Sequence, residues 1–305
     1  MIKVAIAGTG GLAQLIAQCL SEETSHQFIL LSRTPKPSLE SRGFQVLVVN
    51  YADEVQLRYA LQGVDTVVST VSGDPQLRLI DAAVNTGVRR FAPAEFEGPP
   101  HLRPLDNRLD RGQQAALDRL QFYAGQIEST VFACGVFYER FAPGGMAALG
   151  LGLGSGISRE GDFLMNIRLA RAQIPHQGLT NQPVYVGMTS AQDVARFVVK
   201  ALDLSQWSPE LWMQGDRLTP WEVVRQAELL RGREFEKFFH DPVTLQDALA
   251  LATASDDWAG VLRVQNLIAT AEHRYDFTDP VLNTLVDFMP VRFGEWLQRA
   301  WAERL

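Results

Sequence analysis

Lysine is nearly missing from this sequence: among 305 residues it occurs only as Lys3, Lys36, Lys200 and Lys237. None lies between Lys36 and Lys200, so no central segment can supply a lysine to chemistry. Cysteine is equally scarce. Cys19 and Cys134 have no metal-ligand spacing and form no disulfide framework, which predicts a reducing compartment and no metal. No run approaches the roughly 18–20 apolar residues of a membrane helix. The opening run MIKVAIA is too short for a signal peptide and passes straight into glycine, so a cytoplasmic location is expected. No Lys/Arg cluster stands out and the formal net charge is −7, which argues against nucleic acid as a partner. Two catalytic signatures are also missing. No tyrosine has lysine four residues later, and no serine sits in a nucleophile elbow. A small molecule remains as the expected partner, with neither nucleic acid nor membrane.

What is present is ordinary globular material, 46% hydrophobic and 21% charged. Short apolar runs at 2–7, 27–32, 44–49, 65–71, 89–94 and 129–134 read as buried strands. Helical spacing separates them at 12–20, 53–62, 75–86 and 107–126, with Gly63 and Gly87 placed as helix-ending glycines. Alternation of this kind predicts an α/β fold, a Rossmann-type doubly wound parallel sheet, with a smaller, mainly helical substrate domain. The boundaries expected are 1–134 with about 185–216 for the dinucleotide-binding part, and about 135–184 with 217–305 for the substrate part. The glycine-rich stretch 143–161 reads as a mobile loop or lid. Short strands are expected in DFLMNIRL, PVYVGM and ELWMQG, and a helix at 190–202. Beyond Thr219 the pattern is mainly helical, with Trp221, Trp258, Trp296 and Trp301 as bulky anchors.

The chemistry-bearing motif is Gly8-Thr9-Gly10-Gly11-Leu12-Ala13, placed between a strand and a helix. Gly8 permits the tight turn, Gly10 lets the backbone approach a pyrophosphate, and small Ala13 allows close helix–strand packing. Unpaired N–H groups at the helix start would receive the phosphate charge. The alternative is a glycine turn without a ligand. Strand two ends in Ser32-Arg33-Thr34-Pro35-Lys36, where NAD-specific folds place an acid for the ribose 2′-hydroxyl. Ser32, Arg33 and Lys36 instead suit a 2′-phosphate, so NADP(H) is the expected cofactor; the alternative is a solvated charged loop. Further cofactor contacts are expected from Ser69, Thr70 and Val71 after the fourth strand and from Pro93, Glu95 and Phe96 after the fifth. Ser69, with Ser72, reads equally well as a turn residue.

These stretches together resemble the NmrA-like and isoflavone-reductase-like branch of the atypical short-chain dehydrogenases. The resemblance rests on AGTGGLAQLIA at 7–17, LLSR at 30–33, LRYALQGVDTVVSTV at 57–71 and IDAAVNTGVRRFAPAEF at 80–96. CGVFYERF at 134–141 and TSAQDVARFVVKAL at 189–202 extend it. It covers most of the first two hundred residues in order; the last third matches only in helical character. It implies a Rossmann domain plus a substrate domain. Reductases of that family often carry a catalytic lysine on the helix after the Glu-Phe loop; here that helix, DNRLDRGQQAALDRLQFYAG, has none.

Three functions follow as expectations. The first is an NADPH-dependent reductase of a small, fairly apolar substrate bearing C=O, C=N or polarised C=C. Tyr138 is its candidate proton donor, because it follows a strand end, and His176 and His101 are further candidates. A core tyrosine and surface histidines are the structural alternatives. The second is a non-catalytic NADP(H)-binding redox sensor with a protein partner, which the missing lysine favours. The third is redox-neutral chemistry on the same fold.

Overall fold

The computed structural model describes residues 1–104, 106–176, 178 and 182–302. The chain divides into two compact units: Met1–Phe96 with Asp110–Phe132 and Ala195–Leu211, and Glu97–Leu109 with Ala133–Val194 and Trp212–Leu305.

In the first unit, β1 (Lys3–Ala7), α1 (Gly11–Glu23), β2 (Gln27–Ser32), α2 (Pro37–Glu40), β3 (Val46–Val48), α3 (Glu54–Ala60), β4 (Thr66–Ser69), α4 (Asp74–Asn85), β5 (Arg90–Ala92), α5 (Gln113–Phe122) and β6 (Glu128–Ser129) alternate along the chain. Their six strands form one sheet in the order β3-β2-β1-β4-β5-β6, every neighbouring pair parallel. This is the doubly wound Rossmann order, in which the direction of winding reverses between β1 and β4. Val4, Ala5, Ile6 and Ala7 are fully buried, as strands covered on both faces require. Leu57, Leu79, Ile80 and Ala116 pack against one face from α3, α4 and α5. The helix expected over 107–126 contracts to Gln113–Phe122. Its approach is a turn: the Asn107 carboxamide accepts the Leu109 N–H, and Asp110 accepts those of Gly112, Gln113 and Gln114. Such side-chain bonds compete with the helix ladder.

The second unit carries two three-stranded sheets besides its helices and takes up the larger part of the chain. One sheet joins Met165–Asn166, Arg171–Pro175 and Glu236–His240; the other joins Val136–Phe137, Val186–Thr189 and Asp216–Leu218. Helices Pro220–Arg231, Pro242–Ala254, Trp258–Ala271, Val281–Leu285 and Phe293–Trp301 follow. Capping boxes at Thr219 and Asp241 start the first two. The core gathers Tyr138, Phe141, Phe163, Phe293 and Trp301. Trp301 is the anchor the sequence leads one to expect, its indole N–H donating to the Phe141 carbonyl at 2.8 Å. Trp258 is not: it is the first residue of its helix and stands 72% exposed. The glycine-rich segment 143–161 is a folded turn structure. Ala147 N–H bonds Ser158 O, Leu151 N–H bonds Met146 O, and Met146, Leu151 and Ile157 are buried. Its glycines supply positive-φ corners, as at Gly145 and Gly150, and the loop closes on its own side chains.

Candidate cofactor site

The site is built where β1 ends. Gly8 has φ +110, and a Cβ there would collide with Thr70 Oγ1, so the position requires glycine on two counts. Its N–H donates to the Leu31 carbonyl at 2.9 Å, fixing the loop to the end of β2. Gly10 is different. It is exposed and has φ −72 and ψ 179, a conformation open to any residue. The backbone conformation does not demand glycine at Gly10. Gly10 is also the N-cap of α1 and, lacking a side chain, caps none of the first amides of the helix, those of Gly11, Leu12 and Ala13. N–H groups at a helix start and the positive end of its dipole favour an anion. Leu12 and Ala13 are buried; Thr9 is half-buried, and its carbonyl is held by the Gln14 carboxamide at 3.0 Å.

The end of β2 carries the cations. Arg33 is exposed and Lys36 half-buried, and neither has an ion-pair partner among the described residues. Ser32 is buried, and its hydroxyl donates to the Thr34 carbonyl at 2.7 Å, which shapes this turn. Two residues the sequence did not single out join them. Tyr51 is buried and donates to the Leu31 carbonyl at 3.3 Å. Burial pushes its hydroxyl up to about 12, against the opposing charge of Arg33 and a bond from the Gly8 amide. Tyr51 thus stands between the glycine loop and Arg33. Arg42 reaches Gln14 Oε1 at 3.4 Å and lies 4.8 Å over the Phe44 ring. It adds a third cation to the edge that holds the glycine loop.

After β4, the buried Ser69 hydroxyl donates to the Val71 carbonyl at 2.9 Å, the turn role that its sequence context also allows. The Thr70 hydroxyl bonds Ala7 O, and Val71 is half-buried. Pro93, Glu95 and Phe96 are buried after β5, where the Glu95 amide donates to the Pro93 carbonyl at 2.7 Å. Gln76, another residue missed from sequence, pins this turn: its Oε1 accepts the Ala94 N–H at 2.7 Å. Gln76 Nε2 is buried without a partner among the described residues, a donor waiting for a water or a ligand. The structure therefore brings the three strand-end turns of β1, β4 and β5 together in one unit, with β2 supplying positive charge.

The catalytic candidates lie in the second unit. Tyr138 is fully buried, and its hydroxyl is 3.4 Å from Asp216 Oδ2 and 3.3 Å from the Val291 carbonyl. Burial and the nearby carboxylates of Asp216 and Asp193 push its pKa far above the ordinary value, so it holds its proton. His176 is exposed; its backbone N–H donates to the His240 carbonyl at 3.2 Å and its ring meets Phe239 edge-on at 5.8 Å. His101 stacks on Trp212 at 5.7 Å. Among the described residues no helix is long and apolar enough to cross a membrane.

Fold and loop together define a Rossmann protein whose first domain binds NAD(P)H: residues 7–100 match the family model described as NAD(P)H-binding. Among curated relatives, the oxidoreductase BOA1 of Botryotinia fuckeliana is 29% identical over 246 residues, covering 77% of this chain and 78% of that one. The oxidoreductase swnR of Metarhizium robertsii is 26% identical over 236 residues, covering 74% and 73%. The leucoanthocyanidin reductase of Vitis vinifera, solved with NADPH, superposes with a TM-score of 0.73 over 99% of this chain and all of that one, at 18% identity. That likeness is one of fold, and it extends over 99% of this chain.

Proposed function

We propose that the protein is an NADPH-dependent reductase of a small, fairly apolar organic substrate bearing a C=O, C=N or polarised C=C bond. The carrying observation is Gly10: an exposed glycine in an unstrained conformation, at the uncapped start of a helix, in a domain matched as NAD(P)H-binding. The amides of Gly11, Leu12 and Ala13 would hold the pyrophosphate, and Arg33 and Lys36, with Ser32 shaping their turn, the 2′-phosphate. Arg42, braced by Gln14, adds charge at the same edge. Thr70, Val71 and the Gln76-pinned turn of Pro93, Glu95 and Phe96 would flank the nicotinamide end. The cofactor supplies a hydride; the protein supplies binding, orientation and exclusion of water. The geometry favours a structural post for Tyr138 over a proton donor, since its hydroxyl is engaged in the core. His176 and His101 remain as exposed or stacked imidazoles, and water serves as donor where none reaches the substrate.

The test is a titration with NADPH and NADH, followed by loss of NADPH absorbance against a panel of aldehydes, ketones, imines and enones. Tight NADPH binding with turnover of a panel member supports the reading. Tight binding with no turnover moves the assignment to a redox sensor, which the lysine-free segment between Lys36 and Lys200 also favours. Absent NADPH binding overturns both.

A further inference from the structure

The second unit contains a cavity of about 490 Å³ that the cofactor reading does not use. Its size falls within the roughly 300–1,000 Å³ of small-molecule pockets. Leu164, Leu245, Ala248, Leu251 and Leu267 form its apolar walls, from helices Pro242–Ala254 and Trp258–Ala271 and the turn before Met165. Leu164 and Leu245 are buried, while Leu251 stands 70% exposed, an apolar side chain that a ligand would cover.

One polar pair lines it, with Gln173 exposed and His240 half-buried. His240 Nε2 lies 2.5 Å from Gln173 Oε1, across the parallel strands Arg171–Pro175 and Glu236–His240. A carboxamide oxygen only accepts, so the imidazole donates. Burial and the neighbouring His176 hold His240 below its ordinary value, against the opposing charge of Asp241. With its oxygen engaged, Gln173 keeps its –NH2 donors, which have no partner among the described residues. Charge at the rim is set by three other lining residues. Arg263 lies 3.7 Å from Asp162 and 3.4 Å from Asp257, one guanidinium against two carboxylates. The rim is thus unfavourable to an anion, and the wall offers a donor to an acceptor.

We propose that this cavity is a binding site for a neutral, largely apolar small molecule carrying a carbonyl-type acceptor that Gln173 recognises. The inference rests on the second unit alone and stands independently of the cofactor reading.

The test uses the full chain and two dyes: Nile red, which is neutral and bears a ring carbonyl, and 8-anilinonaphthalene-1-sulfonate, which is anionic. Saturable one-to-one binding of Nile red is expected, with the sulfonate about tenfold weaker or worse. Ala248→Phe fills the cavity from a half-buried helix position and should weaken Nile red about tenfold or more. Gln173→Leu should weaken it several-fold by removing the donor. Circular dichroism and melting confirm folding; should Ala248→Phe fail to fold, Leu251→Glu at the exposed mouth takes its place with the same expected loss. No saturable Nile red binding overturns the site, as does tighter sulfonate binding. Unchanged Nile red affinity in a folded cavity variant overturns it too. NADPH titration of the same samples reports on the first unit separately, so failure of either reading is read on its own.

Discussion

Thr70 gives two hydrogen bonds to one acceptor: its backbone N–H and its hydroxyl both reach the Ala7 carbonyl, each at 2.8 Å. The pair clamps the end of β4 to the end of β1, where the sheet reverses its winding and such folds bind ligands. Gly8 comes next along the chain, and the Thr70 hydroxyl occupies the space that a Cβ there would need. The clamp and the glycine are therefore one device.

That coupling predicts non-additivity. Thr70→Ala alone loses one neutral hydrogen bond, about 1 kcal/mol. Gly8→Ala alone meets both a positive φ and the Thr70 hydroxyl, and should cost more. In the double variant the collision is gone, so the two losses should sum to more than the measured one, by about 0.5–3 kcal/mol. Urea denaturation of the four proteins measures it; strict additivity would mean that the two residues do not meet.

Gly10→Val tests the phosphate cradle. The backbone at Gly10 suits any residue and the position is exposed, so stability should fall by no more than about 1 kcal/mol, the cost of a poorer N-cap residue. NADPH binding should nevertheless fail, because a branched side chain would stand over the amides of Gly11 to Ala13. Calorimetric titration beside a thermal melt decides it. Retained affinity in the folded variant would remove the pyrophosphate from this loop.

Arg33→Ala tests the preference for NADPH. A charge-assisted bond to phosphate contributes roughly 1.5–3 kcal/mol, or one to two decades of affinity. NADPH should weaken by that amount while NADH changes little. Arg42→Ala should weaken NADPH less, because its guanidinium already spends a bond on Gln14. Equal losses for both cofactors in Arg33→Ala would show that Arg33 does not read the 2′-phosphate.

What the sequence disclosed was local. The strand–glycine–helix run from Lys3 to Glu23 shows in consecutive residues, and Gly63 and Gly87 take the positive φ that helix ends call for. Strands Arg171–Pro175 and Glu236–His240 stayed hidden. They are five residues each, carry charge at Arg171, Glu236 and Lys237, and pair in parallel across a long separation that no local pattern records. Tyr51, Arg42 and Gln76 escaped for the same reason. Each acts through a hydrogen bond to a residue distant in sequence, and nothing in its own neighbourhood marks it. Tyr138 was legible as a strand-end residue, but not the Asp216 and Val291 that engage it.

Tyr138→Phe separates a core post from a proton donor. The hydroxyl bonds partners in the core and the ring packs edge-on against Phe293 at 5.2 Å, which phenylalanine preserves. Stability should fall by about 1 kcal/mol. Turnover, once a substrate is in hand, should stay within several-fold of wild type. A loss of about 10²–10⁴-fold would instead assign the proton to Tyr138.

Glu139 predicts how the second unit responds to pH. Glu139 is 3% exposed, and the Ala191 N–H donates to its carboxylate at 2.9 Å. Burial, with the nearby Asp193 charge, pushes it from 4.5 up to about 7. A carboxyl raised in the folded state binds its proton more tightly there than when unfolded. Its contribution to stability is therefore complete below about pH 4.5 and is lost as pH rises through 7. The loss should be on the order of 3 kcal/mol. Glu139→Gln keeps an oxygen for Ala191 and cannot ionise, so this slope should vanish. Urea denaturation across the pH range should show the variant close to wild type in acid and more stable above pH 7. A variant as steep as wild type over that window would show that Glu139 does not ionise in place.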